Sequence, residues 1–116
     1  MILGIETSVD HVGVAVGDYR GIRAHSMLAS DRRHAESLTP MIQFVLQQAD
    51  ATMADLSAIA VDVGPGLFTG MRVGIASAAS LAWALDIPVV PVCSLNALAM
   101  NAEWSDNVVA ASLDAR

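Results

Sequence analysis

The fold is decided by residues 1–29, which read MILGIETSVDHVGVAVGDYRGIRAHSMLA. Within them, residues 1–6 form a short apolar run, residues 11–16 are rich in β-branched side chains, and residues 22–29 alternate more weakly. The segments between these runs are short and contain Gly, Ser and Asp, which favour turns. Strand-like runs that are joined by short turns predict an antiparallel meander.

A helical period replaces this alternation after residue 29. Ser30 or Asp31 can cap a first helix, and Pro40 lies inside it, where it marks either the first turn or a kink. The apolar stripe of this helix consists of Ala35, Leu38, Ile42, Val45, Leu46 and Ala49. Residues 52–55 resemble a capping box, with Asp55 in place of Glu, and predict a one-turn helix.

The remainder of the chain alternates buried strands with helices. We predict strands at 57–63 and 89–92, a long helix at about 69–85, and a short helix that Ser94 caps and that ends near Met100. This order predicts an α/β fold with a mixed five-stranded sheet and helices on its faces. It is the layout of a ribonuclease H-like lobe, the building block of the actin-like ATPase superfamily.

A last strand is expected at residues 108–113, and it has no place in the five-stranded sheet. We therefore assign residues 1–106 to an N-terminal ribonuclease H-like lobe. Residues 107–116 are assigned to the first strand of a truncated second lobe.

The composition argues against a nucleic-acid-binding, secreted or membrane-spanning protein. The 116 residues carry a formal net charge of −6 and only 4% aromatic side chains, so neither a basic surface nor a stacking platform for nucleic acid is expected. Cys93 is the single cysteine, which fits a reducing, cytoplasmic setting. The sequence has neither a signal-peptide pattern nor an apolar run long enough for a membrane span.

Two loops are possible phosphate- or nucleotide-facing elements. The first follows a predicted strand and opens the long helix, so that its amides could face an anion; it contains Gly64, Pro65, Gly66, Thr69 and Gly70. It is not a Walker A loop, because Met71 stands where Lys would follow the last glycine. The second loop contains Glu6, Thr7 and Ser8, in the place where actin-like ATPases hold phosphate. For both loops, an ordinary tight turn is the alternative.

The carboxylates and histidines indicate a catalytic or metal site less strongly than the two loops indicate a phosphate site. Glu6, Glu36 and Asp62 lie on predicted elements that carry the metal-binding acids of ribonuclease H nucleases, although the acidic chain is a poor match for a nucleic-acid backbone. The three histidines are scattered and form no His-x-x-x-His pair, so we predict no metal site.

The helices suggest a protein interface. Met41 and Phe44 lie off the apolar stripe of the first helix, so we expect solvent to reach them unless a partner covers them. The second helix is dominated by small residues, which allow another helix to approach closely. The predicted contact residues are Met41, Phe44, Gly74, Ser77 and Ala78.

Two motifs resemble those of the TsaB (YeaZ) family. They are Ile-Leu-Gly-Ile-Glu-Thr-Ser at residues 2–8 and Gly-Pro-Gly-Leu-Phe-Thr-Gly-Met-Arg-Val-Gly at residues 64–74. Residues 33–36 and 113–116 fit the same family. The resemblance covers the whole chain, but only about the first half of a full-length member.

This resemblance implies a non-catalytic scaffold in making threonylcarbamoyladenosine, beside the anticodon of tRNA. In that system TsaD is the transferase, TsaE is an ATPase partner, and members pair as homodimers or with TsaD through first-lobe helices. It implies no cofactor and only indirect contact with tRNA. TsaD-like enzymes hold a metal with a His-x-x-x-His pair, whose positions align here with Ser94 and Leu98.

Two enzymatic alternatives remain open. One is an actin-like ATPase or phosphotransferase that uses the two loops, and the other is a ribonuclease H-like nuclease that uses Glu6, Glu36 and Asp62.

Overall fold

A computed structural model describes residues 1–29, 34–102 and 105–114. Its strands are β1 (Ile2–Glu6), β2 (His11–Asp18), β3 (Gly21–Ala29), β4 (Ala58–Asp62) and β5 (Val89–Val92). Its α-helices are α1 (His34–Gln48), α2 (Phe68–Leu85) and α3 (Ser94–Ala99), and short 3₁₀ turns occur at Met53–Asp55 and Met100–Ala102. The five strands, the three α-helices and the first 3₁₀ turn lie close to their predicted positions.

The five strands form one sheet in the order β3-β2-β1-β4-β5. β1, β2 and β3 pair antiparallel, whereas β4 and β5 pair parallel to β1 and β4, respectively. The predicted mixed sheet of the ribonuclease H-like type is therefore confirmed.

One face of the sheet forms the core. Alternate residues of the central strands, such as Leu3, Val14 and Ile59, are buried there. α1 packs over β2 and β3 on this face, and α2 packs over β4 and β1. The core therefore consists of every second side chain of the central strands, packed against the apolar sides of α1 and α2.

Two helix details answer questions that the sequence left open. α1 continues through Pro40, which lies on an exposed side of the helix. Because proline has no N–H, it cannot donate the helical hydrogen bond to the carbonyl one turn earlier. Ser30 and Asp31, the predicted caps, lie outside the described residues. The Thr52–Asp55 box is confirmed, because the Asp55 carboxylate accepts hydrogen bonds from the Thr52 amide at 2.7 Å and hydroxyl at 3.0 Å. These bonds lower the pKa of Asp55.

Two expectations about the later elements are corrected. Ser94 is the first residue of α3 rather than its cap, a position that Cys93 takes without a side-chain hydrogen bond. The expected strand at 108–113 is not formed within the described segment 105–114, since a strand needs a hydrogen-bonded neighbour. The division at residue 106 stays a prediction.

α2 approaches β1 very closely at Gly74. A β-carbon at this position would overlap the Thr7 hydroxyl, and it would also lie 3.5 Å from the Thr7 β-carbon and 3.6 Å from the Ile5 side chain. Thr7 is itself buried, and its hydroxyl donates to the Gly70 carbonyl across 2.8 Å. The absence of a side chain at Gly74 therefore sets the distance between helix and strand.

Gly74→Ala should lower the free energy of unfolding by about 1–3 kcal/mol, because the new methyl group displaces a fixed hydroxyl. In a Thr7→Ala background the same change should be neutral or stabilising, since Ala is favoured over Gly in a helix by about 1 kcal/mol. Urea unfolding of the four proteins of this cycle measures the coupling. Equal cost of Gly74→Ala in both backgrounds would contradict the packing described.

Candidate functional site

The carboxyl ends of three adjacent strands meet at one edge of the sheet. Because β1, β4 and β5 run parallel, their final residues and the turns that follow lie side by side there. This arrangement brings together Glu6 at the end of β1, Ser8 in the next turn, Asp62 at the end of β4, and Ser94 after β5. Ser8, Asp62 and Ser94 are buried.

A hydrogen-bond network joins these four side chains. Asp62 accepts from the Gly64 amide at 2.6 Å and from the Ser94 hydroxyl at 2.5 Å. The Ser8 hydroxyl lies 2.7 Å from Glu6 Oε1 and 3.2 Å from Asp62 Oδ2, and the Ser8 amide also donates to Glu6. Since a serine hydroxyl has one proton, Ser8 can donate to only one of the two carboxyl groups at a time.

The two acids titrate differently because their surroundings differ. Burial, and secondly a hydrogen bond with Asp62, raise the pKa of Glu6 to about 7. Burial would also raise the pKa of Asp62, but hydrogen bonds from Glu6, Ser94 and the Gly64 amide together hold it below its ordinary value. At pH values below 7 but above the lowered pKa of Asp62, the pair therefore holds one proton, on Glu6, and one negative charge, on Asp62.

The two predicted phosphate-facing loops close on each other. The Leu67 amide donates to the Ser8 carbonyl at 2.6 Å, and Thr7 bonds Gly70 as described above. A side chain at Gly66 would overlap the Ser8 backbone, so only glycine permits this approach. Pro65 and Thr69 are exposed.

Several polar groups of the two loops bond within the protein: the Thr7 hydroxyl donates to the Gly70 carbonyl, the Leu67 amide to the Ser8 carbonyl, and the Gly64 amide to the Asp62 carboxylate. At the start of α2, the Leu67 side chain provides no capping hydrogen bond. Phosphate binding by these loops stays a prediction. Gly64 has φ +95°, in the left-handed region that favours glycine. These hydrogen bonds join the ends of β1 and β4 to the start of α2.

The residues expected for a nuclease or for a metal-binding transferase do not form a complete site in the described part of the chain. Glu6 and Asp62 meet, but the described part of the chain holds no cluster of three or more His, Cys, Asp or Glu side chains, so Glu36 does not join them. Ser94 is buried on Asp62, whereas Leu98 is 42% exposed on α3.

Three of the five predicted contact residues face inward. Met41 is only 8% exposed, because α1 lies across the sheet and buries an arc wider than the predicted stripe. Gly74 and Ala78 are buried against the sheet, since their small size lets α2 approach β1 and β4. The expectation that these three are available to a partner is wrong.

Phe44 and Ser77 remain accessible, but on different surfaces. Phe44 is 49% exposed, and at 100° per residue it projects about 200° from Ile42, on the side of α1 that faces away from α2. Ser77 is half-buried and lies in the space between the two helices. The predicted contact set is therefore not one continuous patch.

The space between α1 and α2 is a groove, which the sequence pattern did not predict. We call it the interhelical groove; its volume is about 500 Å³, and its walls are mostly apolar. It is lined by Leu38, Thr39, Ile42, Met53, Ala76, Ser77, Ser80, Leu81 and Ala84. The groove could have been predicted from the four-residue spacing of Ala76, Ser80 and Ala84, which places three small residues on one side of α2.

The strand order and helix placement define a lobe of the ribonuclease H-like, actin-like type. RuvC from Thermus thermophilus, in complex with a Holliday junction substrate, has the same fold at a TM-score of 0.51 and 15% identity. A family model described as TsaD: tRNA N6-adenosine threonylcarbamoyltransferase matches residues 22–116. The chain belongs to this family.

Relatives named TsaB support the narrower resemblance. The tRNA threonylcarbamoyladenosine biosynthesis protein TsaB of Bacillus subtilis is 36% identical over 99% of this chain and 50% of its own length. The protein of that name from Haemophilus influenzae is 38% identical over 99% of this chain and 49% of its own. YeaZ from Pseudomonas aeruginosa superposes with a TM-score of 0.82 at 34% identity, over 89% of this chain and 48% of that one. The predicted TsaB (YeaZ) resemblance is confirmed.

The chain spans about half the length of these relatives. In the ranges that the structure describes, no helix combines the length and the hydropathy of a membrane span.

Glu6→Gln should flatten the pH dependence of stability between about pH 5 and 8. A folded-state pKa of about 7, against an ordinary value of 4.5, means that the folded protein holds this proton more firmly than the unfolded chain. Stability from this group is therefore complete at low pH and declines as pH rises towards 7. Glutamine has no such proton, so thermal unfolding of the variant should vary less over this range.

Glu36→Gln, an exposed change on α1, is the matched control and should keep the wild-type profile. Identical slopes for wild type and Glu6→Gln would refute the shared proton.

Proposed function

We propose that this lobe is part of a non-catalytic scaffold subunit in tRNA threonylcarbamoyladenosine biosynthesis, and that it activates a TsaD-type transferase by binding it. The observation that carries the proposal is the interhelical groove between α1 and α2. Family membership and the TsaB-named relatives support the pathway.

The shape of the groove suits a helix of a partner protein. Small side chains at Ala76, Ser80 and Ala84 let a partner backbone approach closely, and Leu38 and Ile42 offer apolar contacts at the base. Removal of such surface from water contributes roughly 25 cal/mol per Å². Two exposed helices side by side can complete a four-helix bundle with two helices of the partner.

A binding role agrees with the chemistry of the strand-end site. The Glu6, Ser8, Asp62 and Ser94 side chains satisfy one another, which favours a structural role. At the positions where the resemblance would place metal-binding histidines, the chain has Ser94 and Leu98, and leucine cannot ligate a metal.

Contact with tRNA falls to other subunits in this proposal. The chain has a net charge of −6, whereas a nucleic-acid surface requires a positive patch. TsaD and a TsaE-type ATPase would supply that surface in the cytoplasm. A second copy of the subunit can use the same groove, so a homodimer and the complex with TsaD would compete.

Ala84→Glu should weaken binding of the TsaD protein from the same cell by about tenfold or more. Ala84 is an exposed residue that lines the groove, and a partner helix would bury the new charge without a counterion. Ala79→Glu is the matched control: it makes the same change on an exposed position of α2 outside the groove, and it should leave binding unchanged.

Affinities are measured by calorimetry, and circular dichroism confirms that both variants fold. Equal affinity of wild type and Ala84→Glu, or an equal loss in both variants, would refute the groove as the interface. Tight ATP binding with turnover would instead favour the ATPase alternative.

A further inference from the structure

α1 and α2 end side by side at one edge of the sheet. α1 leads from β3 to β4, and α2 leads from β4 to β5. Because β3, β4 and β5 all run in the direction of β1, both helices run back along the sheet and end where these strands begin. One end of the interhelical groove, close to Met53 and Ala84, therefore lies between two helix C-termini.

Both helices end in the same backbone motif, with an aspartate where glycine is usual. Asp50 after α1 has φ +49°, and Asp86 after α2 has φ +55°. In each case the amide of the following residue donates to the carbonyl five residues before it, at 2.9 Å after α1 and at 3.0 Å after α2. These are Schellman motifs, whose left-handed residue is most often glycine.

A negative side chain at a helix C-terminus is unfavourable for the lobe by itself. The C-terminus of a helix carries a partial negative charge, which a basic residue in the last turn can balance, but neither α1 nor α2 has one there. Asp50, Asp86 and Asp55, which ends the first 3₁₀ turn, are all exposed. This end of the groove therefore combines three carboxylates with two negative helix ends.

Few cations among the described residues offset this charge. The Met1 ammonium donates to the Asp55 carbonyl at 2.9 Å. Arg20 and Arg23 lie at the same edge, but on the hairpin between β2 and β3, where Arg23 pairs with Asp18 at 3.2 Å. None of these residues lines the groove. The negative end of the groove therefore favours an occupant with a positive charge at that end.

The occupant that fits is a helix with an apolar side and a basic end, because the walls of the groove are mostly apolar. A second copy of this chain is a poorer match: Arg72 is the only Lys or Arg in its α1 and α2, and it does not line the groove. We propose that the partner helix that fills the interhelical groove carries lysine or arginine beside Asp50 and Asp86, and that these pairs fix its direction. This inference rests on the proposed function, since it specifies the partner of the same surface.

Asp50→Asn combined with Asp86→Asn removes both charges, and asparagine tolerates the left-handed backbone. By calorimetry, this double variant should bind the TsaD protein from the same cell about threefold or more weakly at low salt. Its affinity should also change less than that of wild type as salt is raised to about 0.5 M, where charges are screened. Its stability in urea should equal or exceed that of wild type, because two unfavourable charges leave the helix ends.

The matched control is Asp10→Asn combined with Glu36→Gln. It removes two exposed carboxylates at the opposite edge of the sheet, in the turn after β1 and in the first turn of α1. Affinity and salt dependence should stay as in wild type. If the asparagine double variant does not fold, Asp50→Gly combined with Asp86→Gly makes the same test.

The inference is overturned if the asparagine double variant binds as wild type does at every salt concentration, or if the control loses as much affinity. It is also overturned if sedimentation shows that the double variant alters only self-association. Ala84→Glu distinguishes this failure from that of the proposed function. If Ala84→Glu loses binding while the double variant keeps it, the groove stands as the interface and only the charge pairing fails; if Ala84→Glu also binds unchanged, both fail.

Discussion

The Thr7 hydroxyl donates to the Gly70 carbonyl, and the glycine at position 74 leaves room for that hydroxyl where α2 packs on the end of β1. This contact fixes the position of the helix on the sheet. α2 in turn forms one wall of the interhelical groove, so the shape of the groove depends on a buried hydroxyl at the end of a strand. Gly66 and Gly74 both lie where a side chain would overlap the turn after β1.

The strand-end network extends the same junction to β4 and α3. Asp62 accepts hydrogen bonds from the loop that leads to α2 and from the first residue of α3, while Ser8 links it to Glu6. One carboxylate and one protonated acid are stable together, whereas two buried charges would repel each other. The network therefore ties four elements together at the edge where the carboxyl ends of the parallel strands meet.

Strand alternation and helical periodicity were enough to predict the sheet and its helices, and they placed Glu6 and Asp62 on two of its strands. They were not enough to orient the helices. Met41 is buried because the side of α1 that packs on the sheet is wider than the predicted apolar stripe. Gly74 and Ala78 face inward because their small size lets α2 pack closely on the sheet. The sharing of a proton depends on distances between strand ends, which periodicity does not contain.

Hydrogen–deuterium exchange of the chain with and without the TsaD protein would test the central claim most directly. If the lobe is a scaffold, amides in residues 38–42 and 76–84 should gain protection in the complex, while residues 6–8 and 64–70 exchange as before. Protection of the two closed loops without any change at the interhelical groove, or the same protection from ATP alone, would contradict the account.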